Sequence, residues 1–257
     1  MESELLFSWP IWMAIGATIF AAALTQGTFG FGFPAISTPL LVLLTDVKTA
    51  IVINMLPNLV VNIIDVIRGG NWGTSLGRHW RVALYMVIGA FAGAQILIFA
   101  PADPLRLLLA LMIFAYLCQE QLARIDWRWL KRYPRGSELA FGLVGGFFSG
   151  TVNLSAPPLL IYFLLLGVET TALTQILNLC FLSGRATQAV TLGFAGEIRL
   201  VAALAYIPLT AVAIGGLYAG SRLQRRFSPQ TYRRALNRIL FVIAIVLIYQ
   251  GGRYFVP

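Results

Sequence analysis

The sequence predicts an all-α polytopic membrane protein with two inverted-topology repeats. Each repeat is a broken or re-entrant helical hairpin plus three transmembrane helices. Three observations predict it. The 257 residues are 58% hydrophobic and only 11% charged, where a soluble domain carries about 25% charged residues. Apolar runs such as "VALYMVIGAFAGAQILIF" (82–99) reach the length of a helical crossing and do not alternate as barrel strands do. Two Gly/Pro-rich breaks, "GTFGFGFPAISTP" (27–39) and "GGFFSGTVNLSAPP" (145–158), interrupt apolar stretches at corresponding points.

The elements follow in order. The N-terminus "MESELLFSWP" has two acids and no base, unlike the positive n-region of a secretory signal. The first hydrophobic stretch is therefore expected to remain in the mature protein. Residues 10–44 form the first broken stretch, and 10–29 alone are long enough to cross. Three spans follow at about 48–67, 81–100 and 104–122. The basic segment "RIDWRWLKRYPRGSE" (124–138) then separates an N-terminal repeat (1–123) from a C-terminal repeat (139–257) of one membrane domain. The second broken stretch is 139–167, and its spans lie at about 171–193, 200–220 and 236–252. "TPLLVLLTDVKTA" (38–50) is echoed by "PPLLIYFLLLGVETT" (157–171), with two extra residues. Weak internal symmetry of this kind is left by transporter repeats.

The formal charge of +9 sits in short loops, which points to membrane topology and not to nucleic acid. Arg68, Arg78 and Arg81 flank one loop; Arg124, Arg128, Lys131, Arg132 and Arg135 fill the linker; Arg222, Arg225, Arg226, Arg233, Arg234 and Arg238 flank another. These are expected on the cytoplasmic side. All three clusters share that side only if each broken stretch returns to its starting side. Each half then has an odd number of full spans, so the second is inverted relative to the first. Both termini fall outside, as Glu2 and Glu4 suggest. Trp9, Trp12, Trp80, Trp127 and Trp129 lie near span ends, where interfacial anchors belong.

Non-helical backbone survives in the bilayer only inside protein or beside a wet cavity. Its use is the exposed helix end, where free N–H groups and a positive dipole suit an anion. Ser155 before "APP" reads as an N-cap with proline in the first turn, so a short helix is expected from Ala156 or Pro157. Pro34 can start the matching helix in the first stretch. The two N-termini are expected to approach each other from opposite sides. Packing kinks with small-residue contacts are the alternative.

Arg185 lies mid-span in "TALTQILNLCFLSGRATQAVTLGF" (171–194), where a charge costs at least about 2.5–3.5 kcal/mol. Gln175 and Asn178 share its side, with Ser183 and Gln188 near. The matching span carries Asn54, Asn58 and Asn62 at i, i+4 spacing, then Asp65. The candidate substrate-binding residues are Arg185, Ser155, Asn178, Gln175, Asn58, Gln26, Asn153 and Asn54, with Asp65 as a candidate coupling residue. A lone guanidinium among amides, hydroxyls and helix N-termini suits an oxyanion. The alternative for Arg185 is a structural bridge to Asp65 or to carbonyls freed at the breaks. The Asn stripe serves equally as interhelical glue.

Other chemistry is thin. His79 sits alone in a basic loop, where solvation is expected, and Cys118 and Cys180 lie far apart in apolar runs and read as packing residues. No metal-ligand spacing, phosphate loop or nucleophile–base pair appears. Neither an enzyme nor a bound metal or cofactor is expected. A membrane enzyme acting on lipids lacks an acid–base constellation, and a scaffold would not need a mid-bilayer Arg.

Two homologous halves, each with a Gly-rich break followed by Pro-x-Leu, and a basic linker resemble the TauE/SafE sulfite exporter family over nearly the whole chain. Gly146, Ser149, Gly150, Pro157 and Pro158 match the family's second-half pattern. Gly27, Gly30 and Gly32 match the first-half pattern, and Pro39 with Leu41 more loosely. "GFGFP" and "LSAPP" replace more glycine-rich turns. The resemblance implies a bacterial inner-membrane secondary transporter of sulfur-containing anions such as sulfite, thiosulfate or organosulfonates. It implies export in many members, driven by an ion gradient or the membrane potential. The expected partners are a small anionic substrate, a coupling ion (proton or sodium) and the bilayer; a homodimer is compatible with the sequence. A passive anion channel or a transporter of small carboxylates is the runner-up reading.

Overall fold

A computed structural model describes residues 8–70, 72–123, 125, 127, 130, 132–198, 206–223 and 229–252. Among them every regular element is helical. The helices are α1 (Trp9–Phe29), α2 (Phe33–Leu44), α3 (Val47–Gly69), α4 (Trp72–Phe99), α5 (Ala102–Leu117) and α6 (Gln119–Ala123). They continue with α7 (Pro134–Val152), α8 (Ala156–Leu165), α9 (Thr170–Phe194), α10 (Ile207–Leu223) and α11 (Pro229–Gly252). Among the described residues, three segments are long and apolar enough to cross a bilayer: Trp9–Phe29, Val47–Gly69 and His79–Phe99.

Both breaks occur where the composition demands them. α1 ends at Gly30 (φ 82°) and α2 starts after Gly32 (φ 117°), with Pro34 in its first turn. Positive φ at both positions is open to glycine and strained for a side chain. α7 ends on Asn153 at φ 67°, the one non-glycine residue with positive φ among those described. α8 then begins at Ala156 with Pro157 and Pro158 in its first turn, where the missing N–H is not needed. Asp46 caps α3, its carboxylate accepting the N–H groups of Lys48 (2.9 Å) and Thr49 (3.2 Å).

The hairpin of the second break is well defined. Phe141 and Tyr162 stack at 5.1 Å between ring centroids, and Gly145 faces Leu159, so α8 runs back along α7. α1 is long enough to cross a bilayer by itself. Its end at Gly30 lies against Thr174, one turn into α9, and α2 returns from there.

The tightest packing joins elements from opposite halves of the chain. α7 lies parallel to α4, and a Cβ at Gly150 would run into the Ala90 carbonyl oxygen. α1 lies parallel to α10, Phe20 beside Gly216 and Leu24 beside Gly220. Backbones this close need small residues on at least one side. By contrast, α3 and α9 cross antiparallel. Gly69 faces Gln175, and Gln26 reaches both Asp65 and Asn178. α5 and α11 are antiparallel too, with Leu107 against Gly251 and Phe114 edge-on to Phe241.

Several expectations need correction. Five residues of the expected linker, Pro134–Glu138, belong to α7. Cys118 is exposed at the end of α5, so only buried Cys180 is a packing residue. His79 is not freely solvated; it packs edge-on to Phe163 at 5.5 Å. Glu2, Glu4, Arg124, Arg128, Trp129, Lys131, Arg225, Arg226 and residues 200–205 of the expected fifth clean span lie outside the described residues.

Candidate functional site

The polar interior is organised around the two breaks, which α2 links over the five residues from Phe33 to Thr38. At the second break, Asn153 turns the chain out of α7 and leaves carbonyls of the last helical turn without helical partners. Arg185 from α9 supplies them. It is 1% exposed and donates to the Ser149 carbonyl (3.2 Å), the Asn153 carbonyl (2.5 Å) and Gln188 Oε1 (3.0 Å). Gln188 in turn donates to the Gly150 carbonyl at 2.7 Å, which fixes its amide orientation. Arg185 forms no ion pair; the pair found among the described residues is Arg106–Asp103. Its Nε and the Ser149 and Ser155 hydroxyls are buried without a hydrogen-bond partner. Ser155 stands at the N-cap position of α8 but makes no side-chain cap bond.

Two amides tie this break to the first repeat. Asn153 and Asn54 both donate to the Thr38 hydroxyl, at 2.9 and 3.0 Å, so α7, α2 and α3 meet there.

At the first break the central residue is Gln26, fully buried in α1. Its Oε1 accepts the Phe33 N–H at 2.9 Å, capping α2. Its Nε2 donates to Asp65 (2.8 Å) and to Asn178 (3.1 Å). Asn178 donates to the Gly30 carbonyl at 2.8 Å. The N-terminus of α2 is thus occupied by a side chain. Gln175 lies one turn from Asn178, buried against Gly69, with neither amide atom hydrogen-bonded.

The two networks are five residues, or about 7–8 Å, apart along α2 from Phe33 to Thr38, and further apart along α3. Asn54 joins the second break and Asp65 the first, eleven residues or about 16 Å of helix apart. Asn58 and Asn62 lie between them, fully buried. Asn62 donates to the backbone and side-chain oxygens of Asn58. Asn58 Nδ2, Asn62 Oδ1 and Asn54 Oδ1 are unpaired. Buried polar atoms rarely lack partners, and here they cluster along one line. The polar residues form two break-centred networks joined by the Asn stripe and by α2. Arg185, Asn153, Ser155 and Asn54 belong to one; Gln26, Asn178, Gln175 and Asp65 belong to the other; Asn58 lies between.

Arg185 takes the second of its two alternative partners: freed carbonyls, not Asp65. Sequence reasoning set Gln188 near Arg185 but named neither it nor Ser149 or Thr38 as a binding residue. Gln188 carried a usable signal, being one helical turn from Arg185 on the same face. Thr38 carried none, since its partners are 16 and 115 residues away in sequence. At the base of the second hairpin a cavity of about 350 Å³ opens, lined by His79, Ser137, Glu138, Tyr162 and Glu169. No group of three or more His, Cys, Asp or Glu suited to a metal ion occurs among the described residues.

Helices long enough to cross a bilayer, enclosing a charged and hydrogen-bonding interior, define a multi-pass membrane protein with a polar core. Residues 15–247 match the family model of the sulfite exporter TauE/SafE proteins. The chain belongs to that family, whose members are transporters of the sulfite-exporter type. No curated protein and no solved structure matches it.

Proposed function

We propose that this protein is a secondary transporter that exports a small sulfur-containing anion, such as sulfite, thiosulfate or an organosulfonate, across a bacterial inner membrane. The observation that carries the reading is Arg185. It is a fully enclosed guanidinium with no carboxylate partner and an unpaired Nε, next to two unpaired hydroxyls. An oxyanion entering there would meet the charge and the hydroxyls together, a donor set suited to several acceptor oxygens. The Asn54–Asn58–Asn62 stripe offers it a line of amides toward the first break. Asp65, hydrogen-bonded to Gln26, is the candidate for carrying the coupling proton or sodium ion. The anion and the coupling cation would then occupy different breaks.

Helix pairing supports an inverted repeat. α3 and α9, corresponding elements, cross antiparallel, as do α5 and α11. The parallel pair α1–α10 has its counterpart in α7–α4. The same pairing argues against rocking of one whole half on the other. Each hairpin is welded to a helix of the opposite half, so the moving bodies are α1–α2–α10 and α4–α7–α8, sliding at the α3–α9 crossing. Arg68 packs 4.3 Å from the Tyr218 ring, and Arg81 shares a groove with Arg132 and Arg135. Described members of the three basic clusters thus lie at one end, which supports the cytoplasmic assignment and periplasmic termini.

The experiment is flux in proteoliposomes with sulfite, sulfate, thiosulfate, taurine and a small carboxylate. Saturable, counter-flow-accelerated movement of a sulfur anion is expected. Unsaturable current at channel rates, or movement of the carboxylate alone, refutes the reading.

A further inference from the structure

A second anion-recognising feature lies outside the interior, at the end of the α4–α7 pair. Arg81, Arg132 and Arg135 line one groove of about 690 Å³ with Tyr133, Pro134, Gly136 and Glu138. We propose that this groove binds the phosphate headgroup of an anionic phospholipid whose acyl chains lie along α4 and α7.

Three observations carry it. The guanidiniums converge from two separate chain segments, and none forms an ion pair among the described residues, although Glu138 shares the groove. Two are held by aromatic neighbours at the membrane interface: Arg81 is 5.8 Å from the Trp80 ring and Arg132 is 5.7 Å from the Tyr133 ring. Both rings are exposed, so each offers an apolar face to lipid and holds its arginine at headgroup level. Below the groove the surface turns apolar. Leu84, Ile88 and Phe91 continue the α4 face that begins at Arg81, and Leu139 lies one turn beyond Arg135 on α7; all four are exposed.

A charged head above a continuous apolar seam matches a lipid. Free phosphate would use only the head. Basic pockets between helices at the cytoplasmic surface bind anionic headgroups, each Lys or Arg near the surface adding about fivefold in affinity. The site is far from Arg185 in chemistry but not in mechanics, since α7 carries Arg135 near one end and, near the other, the Ser149 carbonyl that Arg185 holds. A bound lipid would hold the second hairpin against α4.

The test is lipid binding to purified protein in detergent, read by native mass spectrometry and thermal shift. Cardiolipin and phosphatidylglycerol are compared with phosphatidylcholine, and inorganic phosphate forms a separate arm. The expectation is preferential binding and stabilisation by the two anionic lipids. The variant Arg81→Ala/Arg132→Ala/Arg135→Ala should lose the preference, on the order of a hundredfold in affinity from three such contributions. If that variant does not fold, Glu138→Gln provides the opposite arm. Removing the one acid among the groove's described residues should tighten anionic-lipid binding several-fold. Equal binding of phosphatidylcholine, an unchanged triple variant, or an unchanged Glu138→Gln variant overturns the proposal. Equal stabilisation by inorganic phosphate overturns the lipid assignment.

Discussion

Replacing Arg185 by Ala separates a substrate-binding role from a purely structural one. The side chain donates to two backbone carbonyls and one amide oxygen. Deleting it leaves the Ser149 and Asn153 carbonyls without that donor, at about 1–3 kcal/mol each. It also removes a mid-membrane charge that costs about 2.5–3.5 kcal/mol to hold there. These largely offset, so the variant should fold and insert with stability changed by no more than a few kcal/mol. Anion recognition has no such offset. One charge-assisted hydrogen bond is worth about 1.5–3 kcal/mol, and a two-point grip should exceed that. Affinity should fall by at least about a hundredfold, and flux with it. The assay is thiosulfate or sulfite flux in proteoliposomes, paired with the thermal shift caused by each anion. For a ligand at a hundred times its Kd, the wild type should gain about 2.7 kcal/mol of stability, and the variant almost none. Arg185→Lys keeps the charge but loses the planar fork, so it should bind weakly and not fail outright. Normal flux and an undiminished ligand-induced shift in Arg185→Ala would refute the reasoning and leave Arg185 as a brace for the second hairpin.

Other outcomes follow from the same geometry. Gln188→Glu should place a carboxylate where Oε1 now lies 3.0 Å from the guanidinium, pairing with Arg185 and competing with substrate. Flux should drop at least tenfold, and loss of the Nε2 donor to the Gly150 carbonyl should cost about 1–3 kcal/mol of stability against the gain of the ion pair. Asn153→Ala forces a Cβ-bearing, amide-free residue into φ 67° and loses the bond to Thr38. It should destabilise by about 1–3 kcal/mol, and Asn153→Gly by less, measured by thermal unfolding in detergent. Asp65→Asn should preserve anion exchange and abolish gradient-driven accumulation; accumulation at the wild-type level would remove Asp65 from coupling. In a background lacking Cys118 and Cys180, a disulfide tests whether flux needs movement at the α3–α9 crossing. One between Gly69→Cys and Gln175→Cys, across the α3–α9 crossing, should stop it.

Much of the architecture was legible in the residues. Bilayer helices need length and apolarity, and breaks need Gly, Asn or Pro. Both are local properties, so the expected spans and the starts of α2 and α8 lie close to where they form. Arg185 also announced itself, because a charge in an apolar span is improbable without a purpose. What only the tertiary structure decided is which groups meet. Arg185 reaches back 32 residues to the Asn153 carbonyl, and Gln26 reaches forward 152 residues to Asn178. An amide in a helix shows its face but not its partner. The assignment of each to its own break rests on backbones close enough to touch, at Gly150 on Ala90 and Gly220 on Leu24. That approach distance is a property of two helices together, and neither segment encodes it alone.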